Sequence, residues 1–350
     1  MITRICLINY LHFCICLLLL CSCNQKQRRE GKDTARAFYY WKSVFKLTDY
    51  EKKAVDSLHV SALYLKFFDV DWNEVTNQPN PAAQIRVIDS NYLRQKDIIP
   101  VVFITNECIL KIDPIQSVQL AEKIYKLIND ICVINKLSKI REIQIDCDWT
   151  ASTKEKYFSI LKRIKEQATG IKVSATIRLH QVKFMTKCGV PPVDRGLLLC
   201  YNMGNLKNSA TDNSIIEPAE IKKYIANLDH YPLSLDVAMP LFDWWVLIRN
   251  NNYTGLVRGL PTNIFDDSFV KRSDNRYSFL KDTILVGYTF KKNDVLRYEN
   301  SEYNSIMASA KLVNDRLQQN DRTVSLYHLD SITLSKYSVH EMENIFNSIH

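Results

Sequence analysis

The run Gln144-Ile145-Asp146-Cys147-Asp148-Trp149 alternates polar and apolar side chains. In an extended strand, residues i and i+2 share a face. Gln144, Asp146 and Asp148 therefore fall together, opposite Ile143, Ile145, Cys147 and Trp149. A second stretch repeats the pattern, with Ser174, Thr176, Arg178 and His180 opposite Val173, Ala175, Ile177 and Leu179. If the two strands are neighbours, Arg178 and His180 come close to Asp146 and Asp148. Carboxylates beside a guanidinium and an imidazole can transfer protons or stabilise a developing positive charge. Arg178 is expected to hold nearby carboxyls ionised, which suits a nucleophile, and His180 could supply a proton. The structural alternative is a buried ion-pair network that fixes strand register.

Other candidates stand at the ends of further apolar runs. Glu107 and Asp236 are the candidate partners of Asp146 and Asp148 in catalysis. Asp69, Asp71, Tyr201, Asn202, Trp244 and Tyr288 join Arg178 and His180 as candidate substrate-binding residues. Aromatic faces next to carboxylates suit sugars, because ring C–H faces pack on aromatics while hydroxyls bond to acids. Trp149 reads instead as packing between its strand and the next helix.

These residues need a scaffold, and the patterning supplies one. Strands are expected at 60–71, 98–106, 142–149, 172–180, 196–203, 233–240, 283–288 and 323–330. Helices are expected at 114–137, from the Thr150–Thr153 region to about 168, and at 217–228, 302–317 and 339–349. Pro114 and Pro218 fall at favoured first-turn positions. Eight mostly apolar strands alternating with helices indicate a parallel sheet covered by helices. They suggest an α/β fold of the (β/α)8 TIM-barrel type, a single domain over residues 37–350. An open doubly wound sheet is the alternative, but no Gly-rich phosphate loop follows the first strand, and the chain has only 8 glycines. In a barrel the C-terminal strand ends carry the chemistry. The long segment 249–282 reads as a lid, a binding loop or a disordered insertion.

The segment Ile143-Gln144-Ile145-Asp146-Cys147-Asp148-Trp149-Thr150 resembles the strand motif D-x-x-D-x-D-x-E of chitinase-like glycoside hydrolases. Asp146 and Asp148 match its second and third acids. Ile143 stands where the first acid would be, and Thr150 stands where that family has the glutamate that protonates the leaving group. Cys200-Tyr201-Asn202-Met203 is more loosely similar to a later strand of the same family. As a whole the chain looks closer to bacterial lipoproteins with glycosidase-like barrels than to true chitinases. The resemblance implies a barrel and a carbohydrate ligand. It leaves two functions open: a glycoside hydrolase acting on envelope or dietary glycans, or a non-catalytic glycan-binding or structural lipoprotein that has lost the acid. Two carboxylates flanking one glycosidic bond are the requirement for the first.

The N-terminus gives an address. Arg4 precedes an apolar stretch that ends in Leu17-Leu18-Leu19-Leu20, and Leu20-Cys21-Ser22-Cys23 resembles a bacterial lipobox. This implies a signal peptide over 1–22, a lipid on Cys23 and a flexible tether over 23–36, polar and basic in sequence. The membrane is thus an expected partner, through the lipid, and the barrel is expected in the cell envelope, facing the periplasm. The net charge of +8 is spread along the chain. No zinc-finger, helix-turn-helix or aromatic-basic RNA signature accompanies it, so nucleic acid is not an expected partner. Cys108, Cys132, Cys147, Cys188 and Cys200 show neither a disulfide framework nor metal-site spacing, and no cofactor or metal is expected. Growth with labelled palmitate tests the anchor: the wild-type protein should take up label and Cys23→Ala should not.

Overall fold

The computed structural model describes residues 34–202, 204–318 and 321–350. The expected signal peptide, Cys23, the expected tether as far as residue 33, and Met203 lie outside the described residues.

Eight parallel strands form a closed barrel: β1 (Ala35–Tyr40), β2 (Ala62–Asn73), β3 (Asp97–Ile104), β4 (Glu142–Cys147), β5 (Lys172–Arg178), β6 (Arg195–Leu199), β7 (Leu235–Pro240) and β8 (Thr323–Tyr327). Each pairs with its chain neighbour, and β1 closes the ring by pairing with both β8 and β2. The fold is a (β/α)8 TIM barrel, as the alternation of strands and helices led us to expect.

One barrel strand was not expected, and one expected strand lies outside the barrel. β1 begins inside the stretch expected as tether. Its Ala-Arg-Ala-Phe-Tyr-Tyr run is short and does not alternate, because the strand is buried on both faces. Residues 283–288, expected as the seventh barrel strand, instead form an antiparallel hairpin, Thr283–Leu285 against Tyr288–Phe290. Val286 and Gly287 turn it with φ of 48° and 79°. Gly287 takes that conformation without strain, and Ile284 is left 72% exposed.

The helices follow their local signals. Pro114–Ile134 starts with Pro114 in its first turn and a capping box from Asp113 to Gln116. Lys154–Gln167 follows Thr153 at the N-cap position, although that hydroxyl accepts from Thr150 N rather than from the helix. The helix expected at 217–228 is only Pro218–Lys222. Trp149 fills the layer between barrel and helices: it stacks on Tyr157 with centroids 5.0 Å apart and donates from Nε1 to Cys188 O. The five cysteines named above are free and buried.

Between β7 and the helix Tyr303–Asn314 the chain makes an antiparallel sheet of five strands, in the order 252–257, 243–249, 295–300, 276–279 and 270–273. The segment expected as a loop or disordered insertion therefore folds, around its own core of Trp245, Val257, Leu260, Tyr277 and Phe279. A buried ion pair ties this insertion to the segment after β6. Arg297 Nε donates to Glu299 Oε1 at 2.6 Å, with both side chains fully buried. Arg297 also donates to Asn208 O and Leu206 O, while Glu299 accepts from Ser214 N and Oγ. Gly204 lies against the same segment, and a Cβ there would meet Ser214 Cα at 2.7 Å. Removing one member of a buried pair leaves the other uncompensated. Arg297→Met should therefore cost about 3 kcal/mol in chemical denaturation.

Candidate functional site

The C-terminal strand ends surround a cavity of about 250 Å³. Its floor comes from neighbouring strands, with Asp146 on β4 and Thr176 and Arg178 on β5. The register of β4 and β5 sets Gln144 opposite Ser174. Two residues further up each strand, Thr176 Oγ1 donates to Asp146 Oδ1 at 2.5 Å. Above these, Arg178 Nε donates to Asp148 Oδ1 at 2.5 Å. The expected shared face is therefore real as far as Arg178. His180 departs from it because the strand ends there and the chain enters the helix Leu179–Lys183. His180 remains within the field of Asp148 and Arg178, and burial lowers its pKa.

Burial decides the protonation of the floor. The Asp146 carboxyl is pushed up to about 6 because desolvation outweighs the opposing pull of Arg178, and Asp148 adds to the rise. Arg178 does pull the Asp146 carboxyl down, as expected, but burial outweighs that pull. At Arg178 itself, burial opposes the charge, but Asp148 and Asp146 more than offset it and hold the guanidinium protonated. The floor thus offers a carboxyl that changes state near neutral pH, beside a permanent cation.

The walls are aromatic. Tyr39 and Trp41 come from β1 and the residues just after it, and Tyr201 and Tyr327 from the ends of β6 and β8. Phe242 and Trp244 come from the entry to the insertion. These rings brace one another: Tyr201 to Phe242 at 5.7 Å edge-on, and Phe242 to Trp244 at 5.2 Å. Trp244 Nε1 donates to the buried Glu299 at 2.8 Å, so the Arg297–Glu299 pair also fixes this wall. Lys66 Nζ lies 5.5 Å from the Trp41 ring and pairs with Asp69 at 2.8 Å, bracing the wall that follows β1. The rim carries Asp243, which accepts from Tyr298 OH at 2.6 Å and pairs with Lys336, and also Arg258.

Among the sequence candidates, Asp146, Arg178, Tyr201, Asn202 and Trp244 line the cavity, and Asp148 adjoins it through Arg178. Asp69 is not in the cavity lining; it pairs with Lys66, and its charge adds to the rise at Asp146. Asp71 continues β2 past the barrel, opposite Asn80. Glu107 sits on the helix Asn106–Lys111, exposed and paired with Lys111. Asp236 is the second residue of β7, so it lies at the opposite end of the barrel. There it accepts from Arg195 Nε and Thr323 N. Tyr288 stands on the insertion hairpin, outside the cavity lining. Tyr39, Trp41, Phe103, Phe242, Arg258 and Tyr327 were not singled out from the sequence. Tyr39 belongs to the unrecognised first strand and Trp41 directly follows it, and Arg258 sits in a segment read as a loop. Thr150, at the position of the chitinase-like acid, is exposed and bonds to Ser152 and Thr153.

No family model matches the chain, and no curated protein matches it. Solved structures do. A chitinase from Chromobacterium violaceum superposes with a TM-score of 0.55 at 10% identity, covering 90% of this chain and 98% of that one. A chitinase from Bacteroides thetaiotaomicron gives 0.54 at 11% identity, covering 90% and 97%. The spore cortex-lytic enzyme SleL of Bacillus cereus gives 0.53 at 12% identity, covering 90% of this chain and 74% of that one. At such identities the likeness is one of fold.

The protonation of Asp146 can be read from stability. Its folded pKa of about 6 exceeds the ordinary 3.8, so the folded state holds the proton more tightly than the unfolded chain. Stability from this group is therefore lost as pH rises from about 4 through about 6, by about 3 kcal/mol. Asp146→Asn should gain on the wild type across that window and hold a constant difference above it, as measured by urea denaturation.

Proposed function

We propose that the protein binds a glycan, with one sugar ring seated in the cavity at the C-terminal end of the barrel. The observation that carries this reading is the cavity itself: a Thr–Asp–Arg floor that can bond hydroxyls, enclosed by aromatic rings that can pack on sugar C–H faces. The volume of about 250 Å³ is small beside the roughly 300–1,000 Å³ that encloses drug-sized ligands, which suits a single ring. The relatives in fold add support, since those compared include enzymes named as chitinases. Tethering through Cys23 would hold this cavity in the cell envelope, where glycans are abundant. The missing acid at position 150 favours recognition without hydrolysis.

One observation favours a second reading, hydrolysis. Asp146 keeps its proton up to about pH 6 and shares the cavity with a second carboxylate, Asp243. A pair of this kind could divide the acid and base roles of glycoside hydrolysis. In that case Asp146 is the acid, and activity falls as pH rises through about 6.

A panel of oligosaccharides, read by calorimetry and by release of reducing ends, separates the two. Binding should weaken roughly tenfold or more, about 1.4 kcal/mol, in Trp41→Ala. The first reading expects no reducing ends from the wild type. Turnover that disappears in Asp146→Asn would establish the second. Binding that is indifferent to Trp41→Ala would remove the cavity from both.

A further inference from the structure

We infer that the cavity selects an anionic sugar, a hexuronate or similar carboxylate-bearing ring, with Arg258 as the residue that reads the carboxylate. This rests on the glycan reading above and narrows it to a ligand class.

The charges that line the cavity are unequally satisfied. Arg178 is committed to Asp148 at 2.5 Å. Asp243 is committed to Lys336 and to Tyr298 OH. Asp146 accepts from Thr176 and faces Arg178. Arg258 has no hydrogen bond or ion pair among the described residues, yet it lines the same space. Its charge is felt by Tyr327 and His328, which line the same cavity from β8 and the residue after it.

The backbone that carries Arg258 is held on both sides. Val257 before it and Leu260 after it are buried in the core of the insertion. Val257 pairs with Trp245 in the sheet, and Trp245 Nε1 donates to Leu260 O at 2.9 Å. Gly259 makes the bend between them with φ of 72°. An arginine on so constrained a segment needs to order only its own side chain to bind. Its planar fork matches a carboxylate through two parallel N–H bonds.

The arrangement also fixes the orientation of the ring. Asp146 is almost fully buried at the floor, whereas Arg258 is exposed at the rim. A sugar carboxylate directed at the floor would meet Asp146, where the cation Arg178 is already paired with Asp148. Turned to the rim, it meets Arg258 and leaves hydroxyls for Asp146 and Thr176. The aromatic walls are indifferent to charge, so discrimination between acidic and neutral rings falls to Arg258.

Calorimetry with tri-galacturonate and with chitotriose, at one ionic strength, tests this on the full chain. Wild type should bind the acidic trisaccharide roughly tenfold or more tightly than the neutral one. Arg258→Gln should abolish that preference without abolishing neutral binding, and Arg258→Lys should restore part of it. Lys123→Gln, an exposed cation on the helix Pro114–Ile134, controls for overall charge and should change nothing. Wild type that binds the neutral trisaccharide equally well, or a preference that survives in Arg258→Gln, overturns the inference and leaves the glycan reading standing. A loss in Lys123→Gln as large as in Arg258→Gln also overturns it, in favour of bulk attraction to a basic protein. Binding of neither trisaccharide counts against the glycan reading, and this inference falls with it.

Discussion

Closing eight parallel strands creates one interior, and every inward side chain on β4 and β5 must be satisfied inside it. Those side chains are polar. Glu142 meets Ser174 at 2.5 Å, Gln144 meets Tyr39 and Ser174, Asp146 meets Thr176, and Asp148 meets Arg178. A barrel interior is more often filled by branched apolar residues. Here the register of two adjacent strands turns a costly set of buried groups into a ladder of bonds, each level completed across the β4–β5 seam or from β1. The upper level opens into the cavity, and the lower level continues into Arg195 and Asp236. Because water is kept from most of this ladder, Glu142 and Asp146 hold their protons unusually high. Burial carries Glu142 to about 7 despite its bond from Ser174.

The upper end of the ladder would be an open bowl without the insertion after β7. That segment brings Trp244 to the wall and Arg258 and Asp243 to the rim. Its attachment is electrostatic rather than apolar at the decisive point. Glu299 gathers donors from Arg297, Ser214 and Trp244, which come from the insertion sheet and the segment after β6. A buried carboxylate with this many donors is well satisfied, and it sets the wall and that segment together. The shape of the cavity therefore depends on a pair of charges that never reaches it.

How far the site could be read from the chain differs residue by residue. Alternation over Gln144–Asp148 and Ser174–Arg178 placed Asp146, Asp148, Thr176 and Arg178 on one surface, and they are together. The same reasoning overextended to His180, because the end of a strand is a local hydrogen-bonding event that alternation does not mark. Asp236 stands in an apolar strand like the others, but it lies at the start of β7 rather than its end, and so at the other mouth of the barrel. Glu107 follows a strand end, yet its helix turns it outward to Lys111. Residues 283–288 looked like a barrel strand because a short apolar run reads alike in a parallel strand and in a hairpin, and only Gly287 signalled the turn. The true missing strand, Ala35–Tyr40, had no alternation to betray it.

The sequence by itself determined the class of the fold and which side chains of β4 and β5 share a face, since both follow from local periodicity. Tertiary structure alone decided how deep each of those side chains sits, which partners arrive from β1 and from the insertion, and which acids face the same space. Depth and company depend on barrel closure and on contacts between residues far apart in the chain. The state of Asp146 shows the difference. Its neighbour Arg178 is legible in the pattern of the two strands and argues for a low pKa, whereas the burial that raises the pKa to about 6 exists only once the barrel has closed.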